Sequence, residues 1–388
     1  MMARIVVIGA GIAGLAAAVA LQRRDHDVTV IERRTDTSTG AAISIWPNAL
    51  AALDRLGLGD AVREAGGRVA GGALRWRDGS WLRHPASEIV ISALGEPLVV
   101  IRRSTLRDIL TAAVRHSGIE HGQAADGLLA TADGIEIKLS DDTVRHADAV
   151  VGADGTGSMV ARHLNGRLNN RYAGYTAWRG IATYALDPEL AGATLAPGTE
   201  TGHVPMGPDR TYWYTTERAP EGQLAAEGEL PYLRAKLAGS PEPIPGILAA
   251  TAPDDVVRND LYDRSPARCW ARGPVLLVGD AAHPMRPHLG QGGCQGIEDA
   301  AILGAFVDRT TELSTAFAQF AAFRRPRITS LVRESALLGR MINLRPAFLS
   351  AAALRASGLV PETLFIRHLA SVASGSAFEL PPWADGGS

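Results

Sequence analysis

The chain is poor in cysteine, in lysine and in aromatic residues. Its two cysteines, Cys269 and Cys294, form no CxxC pair, so the sequence indicates neither a disulfide scaffold nor a zinc site. Two cysteines agree with a reducing compartment. The net charge of -2 over 388 residues gives no bulk attraction to nucleic acid or to an anionic membrane. What remains is an ordinary globular chain, long enough for two domains or for one domain with an insertion.

Long apolar runs are also missing. The longest one near the start covers residues 11–21, which is shorter than a membrane span and is interrupted by Gly14. The chain begins Met1-Met2-Ala3-Arg4 and continues directly into an apolar strand, so we expect no signal peptide and a cytoplasmic location. We expect no nucleic-acid partner and no membrane partner.

The first informative motif is Gly9-x-Gly11-x-x-Gly14, directly after a β-branched strand. Gly9 makes the tight exit, Gly11 lets the backbone approach a pyrophosphate, and Gly14 lets the next helix pack on the strand. The N–H groups at the start of that helix attract phosphate. A second strand ends at Glu32, whose carboxylate can accept both ribose hydroxyls and disfavours a 2′-phosphate. The motif predicts a site for FAD or NAD rather than NADP.

A second glycine-rich patch follows far along the chain. Gly279-Asp280 comes directly after the apolar strand 274–278, and residues 290–293 precede a predicted helix that starts near Cys294. Asp280 can accept a hydrogen bond from a ribityl or ribose hydroxyl at the carboxyl end of its strand. The N–H groups at the helix start favour an electron-rich carbonyl, such as the pyrimidine end of a flavin. Two such turns predict one long ligand held from both ends, and FAD fits best.

Several nearby residues allow two interpretations. Asp154 ends another apolar strand, where it either contacts a ligand or belongs to a simple turn. His283 is interpreted as a packing residue that fixes its loop rather than as a catalytic group. Ser104 is a candidate helix N-cap. Arg102 or Arg103 could reach a phosphate, although a solvated arginine explains the spacing equally well.

From about Arg171 to Tyr262 the pattern changes to the alternation typical of strands with two different faces. Residues 203–205 and 211–215 form a predicted hairpin, and residues 68–82 form another that joins the same sheet. These strands concentrate aromatic residues in a chain that is only 5% aromatic. Such a concentration is typical either of the roof of an apolar pocket or of an aromatic-packed core.

An arginine-rich helical tail follows these strands. Leu337, Leu338 and Met341 have helical spacing within it. We expect them to pack against the body of the protein or against a second subunit rather than to touch a membrane, because the tail lacks a sustained basic amphipathic face.

Taken together, these motifs resemble the single-component FAD-dependent aromatic monooxygenases of the para-hydroxybenzoate hydroxylase type. The first turn and Glu32 match their ADP-binding fingerprint, residues 152–155 match their Asp-Gly motif, and Gly279-Asp280 with Pro287 and residues 290–292 match their Gly-Asp motif. Arg103 falls where the family keeps an arginine that contacts FAD. Within the family, the segments most similar to bacterial urate hydroxylases and salicylate hydroxylase-like enzymes are 40–48, 171–175 and 290–294.

The resemblance implies an α/β fold, with a Rossmann-like FAD-binding domain, an inserted mixed or antiparallel β-sheet domain and a C-terminal helical segment. The expected FAD-binding domain comprises residues 1–70, 100–165 and 265–335. The expected substrate-binding sheet comprises 71–99 and 166–264, and the tail 336–388. The residues expected to line FAD are Gly9, Gly11, Ala13, Gly14, Glu32, Arg33, Ser44, Arg103, Ala125, Asp154, Asp280, Gly290, Gln291, Gly292, Gly293 and Cys294.

The same resemblance implies an activity. NADH or NADPH would bind transiently and reduce FAD, and dioxygen would form a flavin C4a-hydroperoxide that hydroxylates a small aromatic or heteroaromatic substrate. The protein would be a monomer or a homodimer. Two alternatives use the same scaffold: an FAD-dependent reductase or dehydrogenase, and a non-catalytic flavin-binding redox sensor.

The residues give less information about the substrate. No catalytic residue is assigned, and the candidates for the substrate pocket are His203, Tyr212, Tyr214 and Pro287. The urate enzymes carry a substrate-gripping arginine where this chain has Glu200, although their substrate-facing tyrosine is retained as Tyr212. Because a carboxylate at that position would meet the urate anion, the sequence disfavours urate.

Overall fold

A computed structural model of the protein describes residues 2–35, 41–115 and 118–382. Gly40, which belongs to one of the segments similar to the urate enzymes, lies outside the described residues. The α/β fold class is confirmed.

A six-stranded sheet forms the centre of the nucleotide-binding part, in the order β18-β19-β12-β1-β2-β8. Its strands are β1 (Arg4–Ile8), β2 (Asp27–Glu32), β8 (Ile119–His121), β12 (Ala149–Gly152), β18 (Ala271–Arg272) and β19 (Val275–Leu277). All neighbouring strands are parallel except β18 and β19. This position explains the apolar strands without alternation, because both faces of the sheet are covered: helices such as α1 pack on it, and so does the small antiparallel sheet that contains Ile135 and Ile137.

A seven-stranded sheet forms the second layer, in the order β17-β13-β16-β15-β14-β5-β6. Its strands are β5 (Leu74–Trp76), β6 (Trp81–Arg83), β13 (Arg171–Ala182), β14 (Gly192–Ala196), β15 (Thr199–Pro205), β16 (Thr211–Glu217) and β17 (Val257–Asp263). The hairpin of β15 and β16 is confirmed, and the hairpin of β5 and β6 joins this sheet as predicted, through parallel pairing of β5 with β14.

Two smaller sheets flank these layers. One has the order β3-β7-β4, with β3 (Ala42–Ile45), β4 (Gly67–Val69) and β7 (Leu98–Arg102). The other contains β9 (Ala125–Thr131), β10 (Gly134–Leu139) and β11 (Val144–Ala147). The expected domain boundary at residues 99 and 100 falls inside β7, which pairs with both of its neighbours.

The helices of the described residues are α1 (Ile12–Gln22), α2 (Pro47–Arg55), α3 (Gly59–Ala65), α4 (Ser87–Leu94), α5 (Arg103–Ala113), α6 (Met159–Asn165), α7 (Glu229–Lys236), α8 (Ile244–Ala249), α9 (Gly292–Arg309), α10 (Leu313–Ile342), α11 (Ala347–Ser357) and α12 (Glu362–Ala373). The prediction of Ser104 as an N-cap is wrong, because β7 leads directly into α5 and Arg102 occupies the cap position. The expected boundary at residues 335 and 336 falls inside α10, which continues through Pro326. Among these helices none alone is long and apolar enough to cross a membrane, although α11 and α12 reach that length and composition as a pair bent by 94°.

A cluster of buried charges joins α9 to α10. The Arg324 guanidinium on α10 donates to Glu298 and Asp299 on α9, each at 2.8 Å, and all three side chains are almost fully buried. Arg324 also donates to the backbone carbonyl and the side-chain oxygen of Gln295. Arg327 donates to Glu298 from the edge of the cluster. Charges removed from water in this way are tolerated because each has several partners.

Arg324→Met should destabilise the protein by about 3–5 kcal/mol, because it leaves two buried carboxylates without their main cation. Urea unfolding followed by circular dichroism measures this loss. Arg325→Met is the matched control, since Arg325 is exposed on the next position of the same helix. Equal stability of the two variants would contradict the role given to Arg324.

Candidate cofactor and substrate site

Four predicted site residues lie at one edge of the six-stranded sheet. Gly9, Glu32, Asp154 and Asp280 follow or end the neighbouring strands β1, β2, β12 and β19 at their carboxyl ends. The first connection passes to one side of β1 and β12 lies on the other side, so the strand order changes direction at β1. Ligands of open α/β sheets bind in the crevice at such a point.

The glycines of the first turn differ in what a side chain at each position would contact. Gly9 has a positive φ of 107°, and a Cβ there would lie 2.5 Å from the carbonyl oxygen of Ala153. A Cβ on Gly14 would lie 1.9 Å from the Gly9 oxygen. Gly11, in contrast, faces open space, because a Cβ there would have no neighbour within 4 Å. The turn therefore presents its backbone at Gly11 to a ligand, and α1 begins there without a side-chain cap.

The late glycine patch lies against the first turn. A Cβ on Gly279 would lie 2.7 Å from the Cβ of Ala13, and one on Gly296 would lie 2.9 Å from it. Ala13 therefore packs between the loop after β19 and helix α9. The two glycine-rich segments that the sequence predicts to share one ligand meet in the fold.

Backbone contacts orient the two acids nearest the first turn. Glu32 accepts hydrogen bonds from the backbone N–H of Ala10 at 2.8 Å and of Arg34 at 2.9 Å. Asp154 accepts from Met159 N–H at 2.6 Å with Oδ2, which caps α6. Its other oxygen, Oδ1, is buried and has no hydrogen-bond partner among the described residues. An unsatisfied buried acceptor at a ligand crevice has room for a donor from the ligand.

Arginines surround the exposed carboxylate of Asp280. Arg264 donates to the backbone carbonyls of Asp280 at 2.9 Å and Ala281 at 2.7 Å, and so holds the loop. Burial lowers the pKa of Arg103, and the negative charge of Asp280 opposes this shift. Arg103, the first residue of α5, therefore lies near enough to Asp280 for the two charges to interact.

The loop before α9 contains the remaining glycines. Gly290 adopts the left-handed conformation with φ of 63°, and a Cβ there would lie 3.0 Å from Nε1 of Trp46. Because this turn redirects the chain, α9 begins at Gly292, two residues before the predicted start. Its cap residue Gln291 makes no side-chain cap and instead accepts a hydrogen bond from Asn48 at 2.9 Å. The first N–H groups of α9 have no capping side chain.

The other predicted cofactor residues occupy the surroundings of this crevice. Ser44 lies in the middle of β3 and is half-buried, and Arg33 is exposed directly after β2. Ala125 begins β9, close to the point where Gln123 N–H donates to the Glu32 carbonyl. Cys294 is buried, and burial raises its thiol pKa to about 12, so the thiol is not reactive.

His283 is confirmed as a packing residue. Its Nε2 lies 2.7 Å from Asp299 Oδ2, and both side chains are fully buried. Asp299 also accepts from the backbone N–H of Gly279 at 2.8 Å. The buried charge cluster of α9 and α10 therefore continues through Asp299 into the loop that carries Asp280.

Two of the pocket candidates share one face of the seven-stranded sheet. Tyr212 and Tyr214 are two positions apart on β16, and Tyr214 lies opposite Gly202 on β15 and Arg179 on β13. Successive side chains of a strand alternate between faces, so these residues face the same way. Arg179 and Arg103 both oppose the rise that burial causes in the Tyr212 pKa, which places both cations near this tyrosine. Arg103 therefore lies near the Tyr212 side of the sheet.

His203 lies on the opposite face of the sheet. It pairs with Trp213 and lines a small internal cavity with Leu237 and Ile247. Burial lowers its pKa to about 4. The fold brings Tyr212 and Tyr214 together and separates His203 from them, because the residue alternates with Gly202 and Val204 along β15.

Glu200 belongs to a chain of hydrogen bonds between the sheet and the late loop. Its carboxylate accepts from the Tyr214 hydroxyl at 2.8 Å and contacts His288 Nδ1 at 2.6 Å. The other nitrogen of His288 lies 2.9 Å from the Tyr175 hydroxyl. The side chains of His288 and Glu200 are only 2% and 7% exposed. His288 follows Pro287, so the last pocket candidate is on the segment that this chain anchors to the sheet.

This chain of hydrogen bonds also requires a glycine at position 202. A Cβ on Gly202 would lie 2.1 Å from the Tyr214 ring. The ring therefore extends across the strand at Gly202 to reach Glu200.

Sequence reasoning missed the residues that act over long separations. Glu200 and His288 are 88 residues apart, and Arg324 reaches Asp299 over 25 residues. Arg264 has no motif around it. Only Arg179 had a signal, since it alternates with aromatic residues along a predicted strand.

The fold and most of the chain match known flavoproteins. The sequence model of a family described as FAD binding domain matches residues 2–334. The chain is 34% identical to an aurachin C monooxygenase/isomerase of Stigmatella aurantiaca, over 89% of this chain and 91% of that protein. It is 32% identical to an FAD-dependent urate hydroxylase of Mycolicibacterium vanbaalenii, over 85% and 86% of the two chains. A structure of Klebsiella pneumoniae HpxO with FAD and uric acid superimposes with a TM-score of 0.86 at 28% identity, covering 95% of this chain and 96% of that one.

The stability of the site loop should depend on pH through Asp299. Burial raises its pKa, but His283 and Arg324 outweigh burial and lower it to about 2. A lowered folded pKa contributes stability that is present above the unfolded value of about 4 and is lost as pH falls toward about 2. This contribution should be about 2 kcal/mol at neutral pH.

Urea unfolding between about pH 5 and pH 2 measures this dependence. Asp299→Asn should make it shallower without abolishing it, because the pKa values of Glu298 and Asp260 are lowered as well, whereas Asp133→Asn, at an exposed position, should retain it. An unchanged pH dependence in Asp299→Asn would show that another group titrates in this range.

Proposed function

The chain belongs to the FAD binding domain family of single-component FAD-dependent monooxygenases, and from this membership we propose that it hydroxylates a small aromatic or heteroaromatic substrate at the expense of NADH or NADPH and dioxygen. The enzyme binds FAD. One observation supports the proposal: Gly9, Glu32, Asp154 and Asp280 follow or end neighbouring strands at one edge of the six-stranded sheet, and the charge of Arg103 acts on both Asp280 and Tyr212.

The residues present agree with the chemistry of FAD. We propose that Gly11 and the start of α1 hold the pyrophosphate, and that Glu32 holds the ribose with its remaining lone pairs. Asp280 would accept from the ribityl chain, and the unpartnered Oδ1 of Asp154 supports a further donor from the cofactor. The backbone N–H groups of Gly292 and Gly293 would meet the electron-rich carbonyl end of the flavin.

Bound FAD would supply the redox chemistry, accepting a hydride from the pyridine nucleotide and activating dioxygen for transfer of one oxygen atom to the substrate. The protein's own task is to hold the ring and to exclude water. The apolar part of the sheet and the half-buried loop at Pro287 support the exclusion of water. We keep the division into FAD-binding residues 1–70, 100–165 and 265–335, sheet residues 71–99 and 166–264, and tail 336–388 as a proposal for function, although two of its boundaries fall inside elements.

We propose that Tyr212, Tyr214 and Pro287 border the substrate, and we do not extend this role to His203. Arg179 supplies a cation on the same face, where its guanidinium donates to the neutral side chain of Asn259 at 3.2 Å. It could meet a hydroxyl, oxyanion or carbonyl of the substrate.

The surroundings of Glu200 bear on whether urate could be the substrate. Glu200 is not a free carboxylate facing the pocket, because His288 and Tyr214 already hold it. Glu200 would therefore repel the urate anion less than the sequence indicates. What remains is that the substrate-gripping arginine of the urate enzymes is absent at this position, and we propose the substrate class without naming urate.

Asp280→Ala should weaken FAD retention by about tenfold or more, since a hydrogen bond to a charged group contributes about 1.5–3 kcal/mol. The measurement is flavin absorbance that remains with the protein after gel filtration, together with titration of FAD by fluorescence. Asp142→Ala is the control, at an exposed turn beyond β10. Retention equal to that of the unchanged protein would refute the placement of FAD along this crevice.

Oxygen consumption separates the proposal from its alternatives. With NADH or NADPH and a panel of phenols and hydroxylated heteroaromatics, we expect substrate-stimulated oxygen uptake and incorporation of one labelled oxygen atom into the product. A reductase would turn over equally well without oxygen and give no labelled product. A redox sensor would oxidise the nucleotide negligibly with every compound, and either result would overturn the proposed activity.

A further inference from the structure

The C-terminal helices expose an apolar surface that the proposed function does not use. Seven of the fifteen exposed large hydrophobic side chains of the described residues lie between positions 337 and 364. We call these seven the tail face: Leu337, Leu344, Phe348, Leu349, Leu359, Val360 and Leu364. Phe348 is 68% exposed and Leu359 is 84% exposed. Clustered apolar exposure of this kind marks an interaction site, whereas single exposed residues do not.

The inner sides of the same helices are already packed. Ile342 and Leu354 contact Trp76 and Leu195 of the seven-stranded sheet. Ile366 and Val372 pack with Val90 of α4. The tail face is thus the outward surface left after the helices have docked on the protein. The prediction that Leu337, Leu338 and Met341 pack against the body or a second subunit stays a prediction. On this chain Leu337 is 55% exposed, whereas Leu338 and Met341 are half-buried.

The tail face is sharply bent, and its most exposed residue lies at the bend. Helices α11 and α12 meet at 94°, and Leu359 and Val360 lie in the turn between them. On α11, Phe348 and Arg355 have the spacing of one helix side. Two short helices at a right angle suit a position in the interface plane of a bilayer, with the corner residues inserted.

The charges around the tail face are predominantly positive. Between residues 335 and 361 the sequence has Arg340, Arg345 and Arg355 and neither Asp nor Glu. These three arginines are exposed, as is Arg367 on α12. Among the described residues, no single helix of the tail has a sustained basic amphipathic face, so the sequence disfavours contact with a membrane. In the fold, the apolar and basic residues come from three helices and two turns.

The acidic groups near these arginines are few. Glu334 contacts His368 at 2.6 Å, and Glu362 lies in the first turn of α12. Asp78 lies 3.9 Å from Arg355. They neutralise part of the positive charge, and Arg340 and Arg345 have no acidic partner within 4.0 Å among the described residues.

We propose that the tail face docks on the surface of an anionic lipid bilayer. Apolar side chains would enter the interface, and the arginines would meet the headgroups. A second copy of the chain is a poorer occupant, because a twofold contact would place two predominantly positive surfaces against each other. The surface also adjoins the site, since the α12 residues Phe365 and Leu369 share a cluster with Trp46 and Leu289 beside Gly290. This inference goes beyond the proposed function and does not depend on it.

Vesicle flotation of the FAD-loaded full chain tests the proposal. Vesicles of phosphatidylcholine with phosphatidylglycerol should carry the protein, vesicles of phosphatidylcholine alone should carry much less, and high salt should release it. Leu359→Ser should weaken binding by about tenfold, since burying one large apolar side chain has an effect of that order. Arg345→Gln should weaken binding to the anionic vesicles several-fold.

The control is Leu224→Ser, because Leu224 is 72% exposed and lies outside the tail face. It should bind like the unchanged protein, and all variants should retain the same flavin spectrum and thermal midpoint. Failure to float with anionic vesicles, or equal binding by Leu359→Ser, would overturn the proposal. So would a dimer that forms without lipid and is lost in Leu359→Ser, because the occupant would then be a second copy.

Discussion

The buried pairing of Arg324 with Glu298 and Asp299 is the interaction on which the site depends. It joins α10 to α9 in a part of the protein where an unpaired charge would be costly. Asp299 uses its other oxygen for His283 and for the Gly279 backbone, so the same cluster fixes the loop that presents Asp280. Glu298 meets Asn48, which in turn donates to Gln291 at the start of α9. One set of charges therefore positions both glycine-rich segments of the late loop.

Close backbone packing positions the first turn. Gly9 and Gly14 permit contacts that a side chain would forbid, and Ala13 occupies the space between Gly279 and Gly296. The steric contacts and the charge cluster meet at Gly279, because its N–H binds Asp299 while its Cα faces Ala13. Tight packing and hydrogen bonds thus hold both glycine-rich segments in place, and such preorganisation lowers the entropy lost on binding.

Hydrogen bonds join the seven-stranded sheet to the loop at Pro287, where we propose that the substrate lies. The chain through Tyr175, His288, Glu200 and Tyr214 connects the sheet to the Pro287 loop and satisfies the carboxylate that the sequence alone presents as a free negative charge. The negative charge of Glu200 in the sequence therefore did not predict the charge at the proposed pocket. Arg179, from the neighbouring strand, is the cation on this face.

Local patterns in the chain were enough to predict the fold class, the first turn with Glu32, the late Gly-Asp loop, the hairpin of β15 and β16, and the packing role of His283. These features depend on local spacing, because a tight turn or a strand requires particular residue types at neighbouring positions. The folded chain was needed to show which side of the sheet holds His203, that Glu200 is paired with His288, that Arg264 and Arg324 hold the late loop and α9, and that Leu337 is exposed. These outcomes depend on contacts between residues far apart in the chain, and a single sequence contains no local pattern from which such contacts can be derived.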